Sequence, residues 1–536
     1  MNHKALLILV RNLNGGIALN LKMFRKSSTV NLPVTISAFI FLCAIVRMIT
    51  IYAGGDSKIV THVGDDTFYY FVMAENFAKT GHWSFDGVAP ATGFHLLWGY
   101  ILAAAYKIYP NATLKEMFLL SSLMGAACFS ASAWFMSRSV RKWYGDISVL
   151  SVLFIFSTTA SFRIVTMGME APFVILFASI VIFVTVGASG GSVALRCGVA
   201  FLAGLFGMLS RSDFGILPLM IFIVFALQAF VKRTSVKDGA AVAFAALAGS
   251  VVGLVVVLAH CYIISGGLFQ NSARMKAYWS QLAGHKFASS LVLWAQTFSS
   301  QPFLTPKIGF AMLGLICVVS AVTVQVARLN RIPVIIGLLV IAGYICFYRY
   351  NSEAAQIWYL ACFIPATILV AAPVMKMFER WRISLSIAMI LWAVVGLFHS
   401  FSPPWPHQIT YREAGLYLRA HPEIVRVGIW NAGIVRYFAG RSITNLDGLV
   451  NDDILPYAQS GRLADYILKR RLTHIMDHPI MFDRRHSLRG GYADGHLAKC
   501  LNRIRSFGDG TQSQTFEGTP TTLYRVDPLC LGHDGT

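Results

Sequence analysis

Long apolar runs, separated by short polar or basic stretches, fill the first 400 residues of the chain. Eleven of these runs have the length of a helix and hold few charged residues. A helix of about 20 apolar residues matches the thickness of the hydrocarbon core of a bilayer. The predicted spans are Leu32–Tyr52, Leu114–Ser137, Ile147–Phe162, Ala171–Val186, Arg196–Ser210, Phe214–Phe230, Gly239–Ile264, Ile308–Ala327, Ile332–Tyr348, Ile357–Val374 and Ile383–His399.

The pattern changes after the proline-rich stretch that begins at Pro403. Short apolar runs typical of strands, such as Val425–Trp430 and His474–Met476, alternate with helical stretches such as Ala464–Leu472. We therefore predict a multi-spanning α-helical domain over residues 31–400, with 11–12 hydrophobic segments, and a small soluble α/β domain over residues 401–536.

The composition agrees with a polytopic membrane protein. Apolar residues make up 56% of the 536 residues and charged residues only 13%, which excludes a soluble globular or disordered chain. The formal charge of +20 does not indicate nucleic acid, because Lys and Arg concentrate in the loops between apolar runs. Such loops are typical of the cytoplasmic side of a membrane protein.

Four basic loops fall on one side of the membrane if the spans alternate, and residues 1–30 form a basic cytoplasmic segment on that side. The alternation requires Phe94–Tyr109 and Leu114–Ser137 to make one net crossing, with 94–109 partly embedded. The basic loops are Arg138/Arg141/Lys142, Lys232/Arg233/Lys237, Arg328/Arg331 and Lys376/Arg380/Arg382.

The opposite side then carries the first external loop, residues 53–93, and the soluble domain. This arrangement predicts a multi-pass protein of a bacterial-type inner membrane, with its polar motifs and its C-terminal domain facing the periplasm. Cys500 and Cys530 are the two cysteines of the polar tail. Because this compartment is oxidising, we predict a disulfide between them.

The first external loop holds two adjacent carboxylates, Asp65 and Asp66, amid the aromatic residues 68–70. Charged groups beside a bilayer are costly and usually serve a function. The alternative is a solvated loop that caps a helix.

Four stretches together resemble the GT-C superfamily of membrane glycosyltransferases, in particular the branch that contains cell-wall arabinofuranosyltransferases. Gln270 stands where this branch usually has Pro, and Asn445 where an Asp is common. The stretches are Gly64-Asp65-Asp66 with residues 70–98, Gly168-Met169-Glu170, Gly267 to Lys276, and Asn445-Leu446-Asp447-Gly448-Leu449.

The resemblance implies transfer of a sugar from a polyprenyl-phosphate donor to a cell-envelope acceptor, which is a glycan, a lipid or a protein. The partners are then this donor, this acceptor and the lipid bilayer, with no nucleic acid. The enzyme would be a hexosyl- or pentosyltransferase that inverts the anomeric configuration. No cofactor is assigned, and a need for a divalent cation stays open because two adjacent carboxylates do not define a metal site.

The resemblance assigns the general base to Asp65, the first acid of the pair. A carboxylate that takes the proton of the acceptor hydroxyl contributes about 10²–10⁴-fold to the rate. Asp66 has three candidate roles at the site: it orients the loop, binds a sugar hydroxyl or holds a metal. The alternative for Asp66 is the N-cap of a helix over residues 67–79.

A donor phosphate requires cations at the membrane face. In the predicted topology four basic residues lie on the external side, although Lys and Arg usually concentrate on the cytoplasmic side. Arg211 and Lys276 are the leading phosphate ligands, whereas Arg163 and Arg274 are equally explained as interfacial anchors.

Four polar residues are candidates for binding sugar or acceptor: Glu170, His95, Asp213 and Asn271. Glu170 is equally explained as a structural partner of Arg163 or Arg211, and Asp213 as the counter-charge of Arg211. A lone histidine such as His95 is more often structural.

Two rival functions are considered. A transporter or flippase of lipid-linked saccharides should hold ionisable or helix-breaking positions near the middle of the membrane, but the interiors of the spans are almost free of charge. A receptor or scaffold built on the tail domain would leave the acidic motifs without a role.

Overall fold

A computed structural model describes residues 31–188, 191–232, 237–351, 356–479, 496–508, 510–516 and 518–532. The predicted cytoplasmic segment 1–30 lies outside these residues. Within the described part, seven helices are long and apolar enough to cross a membrane: Leu32–Ala53, Leu114–Tyr144, Val193–Ser210, Lys237–Ser265, Pro306–Val326, Ile332–Asn351 and Glu379–Ser400.

An eighth candidate span is a bent pair of helices, Asp146–Phe156 and Thr159–Val165, whose axes differ by 71°. Four shorter apolar helices complete the bundle: Leu96–Ile108, Ala171–Ile182 with the π-helical turn Phe183–Gly187, Ile216–Lys232 and Ile364–Met377. Together these segments match the 11–12 predicted, and the predicted fold class is confirmed.

Three predicted spans are not continuous α-helices: Ala171–Val186 ends in the π-helical turn, and two others are interrupted. The span predicted over Ile147–Phe162 breaks at Ser157, where the Thr158 side chain accepts a hydrogen bond from the Ser161 N–H at 3.3 Å and starts the second helix. The span predicted over 357–374 opens with a 3₁₀-helix, Ile357–Cys362, before Ile364–Met377 begins. In both cases apolar character alone does not distinguish one helix from two.

The segment Leu96–Ile108 has only 13 residues. At about 1.5 Å per residue it extends ~20 Å, well short of the ~30 Å of a hydrocarbon core. Its length agrees with a partly embedded helix. The later stretch 266–307 is also helical, with helices Asn271–Leu282 and Phe287–Ser299.

One buried charge lies inside a span, contrary to the expectation that the interiors are almost free of charge. Arg47 is fully buried, and its guanidinium donates to the hydroxyl and the carbonyl of Ser400, both at 3.2 Å, and to Thr166. These partners are neutral, and they tie the first span to the last span and to the turn that precedes Glu170.

Two of the basic loops, those at 138–142 and 328–331, meet at one end of the bundle, which we call the basic end. The Lys142 ammonium donates to the Ala188 carbonyl at 2.8 Å, and the Tyr144 hydroxyl donates to the Asn330 carbonyl at 2.9 Å. The acidic motifs around Asp65 and Glu170 lie at the other end, the acidic end.

The C-terminal domain packs on the acidic end around a five-stranded mixed sheet of order β2-β1-β3-β5-β4. Strands β1 to β3 are parallel, and β5 is antiparallel to both β3 and β4. The strands are β1 Val427–Ile429, β2 Thr444–Asn445, β3 His474–Asp477, β4 Leu501–Ser506 and β5 Thr522–Val526; the helices are Gln408–Ala420, Gly433–Ala439, Leu455–Gln459, Leu463–Lys469, His496–Lys499 and Pro528–Gly532.

The predicted disulfide is confirmed: Cys500, which precedes β4, is bonded to Cys530 in the last helix, with 5.4 Å between their Cα atoms. The bond closes a loop over a sequence separation of 30 residues. It fixes the final helix to the edge strand of the sheet.

The orientation of the chain is testable with single cysteines at opposite ends. Arg138, in a basic loop, and Arg462, in the C-terminal domain, are both exposed. We expect Arg138→Cys to be protected from a membrane-impermeant maleimide in intact cells and Arg462→Cys to react, with both reacting after lysis. The unmodified chain controls for its seven free cysteines. Labelling of Arg138→Cys together with protection of Arg462→Cys in intact cells would show that the orientation is opposite to the predicted one.

Candidate functional site

The two adjacent carboxylates begin a helix, Asp65–Thr80, that lies between the membrane domain and the C-terminal domain. Gly64 is the N-cap, in an extended conformation, and Gly81 ends the helix with a φ of 76°. Asp65 and Asp66 therefore occupy the first turn, where the helix dipole favours negative charge. The alternative that Asp66 caps the helix is wrong, because the helix begins one residue earlier.

Asp65 is the contact point between the two domains. Its carboxylate oxygens accept hydrogen bonds from the backbone N–H groups of Gly433 at 3.1 Å and Ile434 at 2.7 Å. Burial, together with the nearby charge of Asp66, raises the pKa of Asp65 to about 7, although the two amide hydrogen bonds oppose this rise. Burial is the stronger effect, so the group titrates near neutral pH.

Tyr69, one helical turn further on, forms a second junction. Its hydroxyl lies 2.9 Å from the Trp430 carbonyl and 2.8 Å from Asp447 Oδ2, and it accepts from Ala432 N and Asn445 Nδ2, both at 3.1 Å. Burial raises the pKa of Asp447 to about 7. Asp447 was not among the predicted site residues, although it lies within a stretch that carried the resemblance.

Arg211, Asp213 and Glu170 form a buried ionic cluster. The Arg211 guanidinium donates to both Asp213 oxygens, at 3.1 and 2.9 Å, and lies 3.4 Å from Glu170 Oε1. The Tyr348 hydroxyl donates to Asp213 at 2.5 Å. Both pairings that the sequence left open for Glu170 and Asp213 with Arg211 are therefore present.

Lys276 differs from Arg211 in its partners. Its ammonium donates to the Tyr359 hydroxyl at 2.5 Å, and among the described residues it forms no ion pair with a carboxylate. Burial alone would lower the pKa of Lys276, but interactions with Tyr359 and with the charge of Asp66 outweigh burial and raise it. The side chain is thus a stable cation.

His95 lies beside the ionic cluster, with Nε2 3.7 Å from Glu170 Oε1. Burial and the charge of Arg211 lower the pKa of His95 to about 3. The imidazole is therefore neutral at pH 7 and does not form an ion pair with Glu170.

Three cavities meet around these residues. The largest, about 210 Å³, lies between the membrane domain and the C-terminal domain and includes Asp65, Asp66 and Lys276 in its lining. A second, of about 90 Å³, is lined by Arg211, His95 and Lys276. The third, of about 40 Å³, contains Asp66, Glu170 and Lys276. Asp66 is shared by the first and third cavities, and Lys276 by all three.

Three predicted site residues do not line these cavities. Arg163 is half-buried and donates to the Ser402 carbonyl at 3.2 Å, and Arg274 is exposed on the helix that carries Lys276. The Asn271 amide donates to the carbonyls of Asn451, at 3.0 Å, and Gly448. Asn271 therefore joins the domains.

Some residues that line the cavities were not predicted, because the sequence around them gave no clear indication of a site. Trp405 lies within the proline-rich stretch and His407 directly follows it, yet both line the largest cavity.

Within the part of the chain that the structure describes, no group of three or more His, Cys, Asp or Glu side chains is placed to hold a metal ion.

The fold has counterparts among proteins of known structure. It is similar to the oligosaccharyltransferase AglB of Archaeoglobus fulgidus with a tethered acceptor peptide (TM-score 0.52, 12% identity, 92% of this chain and 76% of that one). It is also similar to AglB with an inhibitory peptide and a dolichol-phosphate (0.51, 10%, 91% and 75%). A third similar structure is ArnT of Cupriavidus metallidurans bound to undecaprenyl phosphate (0.53, 11%, 91% and 98%).

The sequence comparisons are less informative. A family model described as a domain of unknown function, DUF8728, matches residues 403–524, which lie within the C-terminal domain. No curated protein matches the chain. The similarity to solved structures therefore establishes the fold, and the function must be argued from the site.

The ionic cluster makes a prediction about stability. Arg211→Ala should lower the free energy of unfolding by about 3–5 kcal/mol, because it leaves two buried carboxylates without their cation. Thermal unfolding in lipid nanodiscs measures the loss. The matched control is Arg462→Ala, at an exposed ion pair with Asp465, where a change within ~0.5 kcal/mol is expected. Equal midpoints for the two variants would contradict the structural role of Arg211.

Proposed function

We propose that the protein is a membrane glycosyltransferase that uses a polyprenyl-phosphate sugar and acts at the outer face of a bacterial-type inner membrane. The observation that carries the proposal is the sharing of Asp66 and Lys276 between adjoining cavities at the domain junction. Such sharing suits a reaction that joins two substrates, one in each cavity. The lipid phosphates bound in the AglB and ArnT structures support the class of donor.

The donor phosphate binds beside Lys276. A phosphate leaving group gains negative charge as its bond to the sugar breaks, and a preorganised cation stabilises that charge. Arg211 is already paired with Asp213 and Glu170, so it contributes mainly by holding these two side chains in position. Lys276, which makes no carboxylate ion pair within the described part, is the principal phosphate ligand.

Asp65 is the general base. It lines the largest cavity, its two amide hydrogen bonds fix its orientation, and its pKa of about 7 lies near the operating pH that favours base catalysis. The carboxylate removes the proton of the acceptor hydroxyl while the new bond forms at the anomeric carbon. A single displacement of this kind inverts the anomeric configuration.

Asp66 lines both the largest and the smallest cavity, and it orients the donor relative to Asp65. Glu170 and neutral His95 line the smaller cavities and bind hydroxyl groups of the donor sugar. The acceptor is a component of the cell envelope. The transferred group is a hexosyl or a pentosyl residue.

The role of Asp65 is tested by Asp65→Asn. Without its base, the chemical step should slow by about 10²-fold or more, while donor binding is retained. Single-turnover transfer from a panel of polyprenyl-phosphate sugars measures the rate, and Asp66→Asn is the matched variant with a milder effect. Because an asparagine can accept only one of the two amide bonds, unfolding is measured in parallel. A normal transfer rate in a folded Asp65→Asn protein would rule out this base.

The pKa of Asp65 also predicts opposite trends with pH. Transfer requires the ionised form, so its rate should rise about tenfold per pH unit up to pH ~7. The folded pKa of about 7 exceeds the ordinary value, so protonated Asp65 stabilises the fold and stability should fall as pH rises from about 4 to 7.

Rate and unfolding midpoint are measured on the same samples across this range. Asp447 also titrates near pH 7, so Asp447→Asn serves as the control and should keep the trend in rate. If the unfolding midpoint fell together with the transfer rate at low pH, acid unfolding would explain the loss of rate instead of protonation of Asp65.

Lys276 is tested through donor saturation. Lys276→Gln should raise the donor KM at least tenfold, which corresponds to about 1.4 kcal/mol, with a smaller effect on acceptor saturation. Arg274→Gln, on the same helix but exposed, is the matched control and should leave donor saturation unchanged. Equal donor KM values in the two variants would remove Lys276 from the phosphate site.

A further inference from the structure

The largest cavity has a wall of indole rings. Trp279, Trp358, Trp405 and Trp430 all line it, and they come from four separate segments of the chain. Trp279, Trp358 and Trp430 are at most 4% exposed, so these three are not part of a lipid-facing aromatic belt. The rings of Trp358 and Trp405 lie 6.4 Å apart, centre to centre, at an angle of 57°.

Polar groups are interspersed with these rings. Asn431, Gln356 and the carboxylates of Asp65, Asp66 and Asp447 face the same cavity. Flat apolar faces beside a few placed hydrogen-bonding groups are typical of a small-molecule site. A sugar ring has this complementary form, since its C–H faces pack on aromatic rings and its hydroxyls donate to carboxylates.

The charge of the cavity narrows the ligand class. Its described lining contains three carboxylates and one ammonium, that of Lys276. His407 adds no charge, because burial lowers its pKa to about 4. Because Lys276 is assigned to the donor phosphate, a second phosphorylated or carboxylated ligand would face only carboxylates here, whereas an uncharged carbohydrate would meet no repulsion.

The position of the cavity indicates which of the two substrates it binds. Asp66 and Lys276 also line the 40 Å³ cavity beside Glu170, where the donor sugar is proposed to bind. A hydroxyl held in the indole-lined cavity lies beside Asp65 and next to the donor. The cavity is thus placed for the acceptor.

We propose that the indole-lined cavity binds the acceptor and that this acceptor is an uncharged carbohydrate, the terminal sugar of a glycan. The inference rests on the proposed function. In the reaction, the acceptor O–H gives its proton to Asp65 and its oxygen forms the new bond to the anomeric carbon. The bond from that carbon to the phosphate oxygen breaks, and its electron pair leaves with the polyprenyl phosphate.

Binding without a donor tests the inference. The full-length protein, in nanodiscs free of sugar detergents, is titrated with methyl glycosides of neutral hexoses and pentoses, with glucose 6-phosphate and with a short neutral peptide. Indole fluorescence reports binding. We expect at least one neutral glycoside to saturate the signal, and Trp405→Ala to weaken its affinity at least tenfold, with Trp405→Phe close to the parent protein.

Trp381→Ala is the matched control, because Trp381 is 66% exposed and does not line the cavity; its affinity should be unchanged. Trp405 is only half-buried, so its removal should leave the fold intact. Failure of every neutral glycoside, preference for the phosphorylated sugar or the peptide, or equal binding by Trp405→Ala would overturn the inference.

The two proposals fail in different ways. If a neutral glycoside binds through Trp405 but no polyprenyl-phosphate sugar is consumed in its presence, the carbohydrate site stands and the glycosyltransferase function fails. If sugar is transferred but only to a peptide or an anionic acceptor, the function stands and the assignment of this cavity fails.

Discussion

The site depends on one contact: a carboxylate at the start of a helix in the membrane domain accepts two backbone N–H groups of the C-terminal domain. The fit at this contact is close, since a Cβ atom at Gly433 would collide with the backbone carbonyl of Asp65. Tyr69 extends the junction by one helical turn, and Asn271 adds a second connection to the turn at Gly448. Because the largest cavity has walls from both domains, it exists only while this junction is closed.

Charge is distributed unevenly around that junction. In the Arg211 cluster the single cation is already paired with two carboxylates, those of Asp213 and Glu170. Lys276 instead interacts with the hydroxyl of Tyr359 and retains its charge for a ligand. Lys276 lines the same cavity as Asp65, Asp66 and Asp447, so a cation and several carboxylates lie within a few side chains of one another. This arrangement suits the proposed reaction between an anionic donor and an uncharged acceptor.

Sequence patterns predicted the fold class well because the length of an apolar run directly reflects the membrane it must cross. The break at Ser157 was missed because a capping threonine leaves the apolar pattern unchanged. Arg47 was missed because a single arginine within an otherwise apolar run gives no sign of its partners, Thr166 and Ser400. Of the site, Asp65, Glu170, Arg211 and Lys276 were predicted, whereas Trp405 and Asp447 gain a role only when the domains meet.

The length of chain between the two halves of the junction has a consequence for biosynthesis. Asp65 and Gly433 are 368 positions apart in the sequence, so the helix that begins at Asp65 is synthesised long before its partner. Asp65 has its elevated pKa only once it is buried, and the cavity forms only when the C-terminal domain has folded against the membrane domain. A nascent chain therefore lacks this cavity until the C-terminal domain has been made, and a truncation after the final span would give an inserted protein without it.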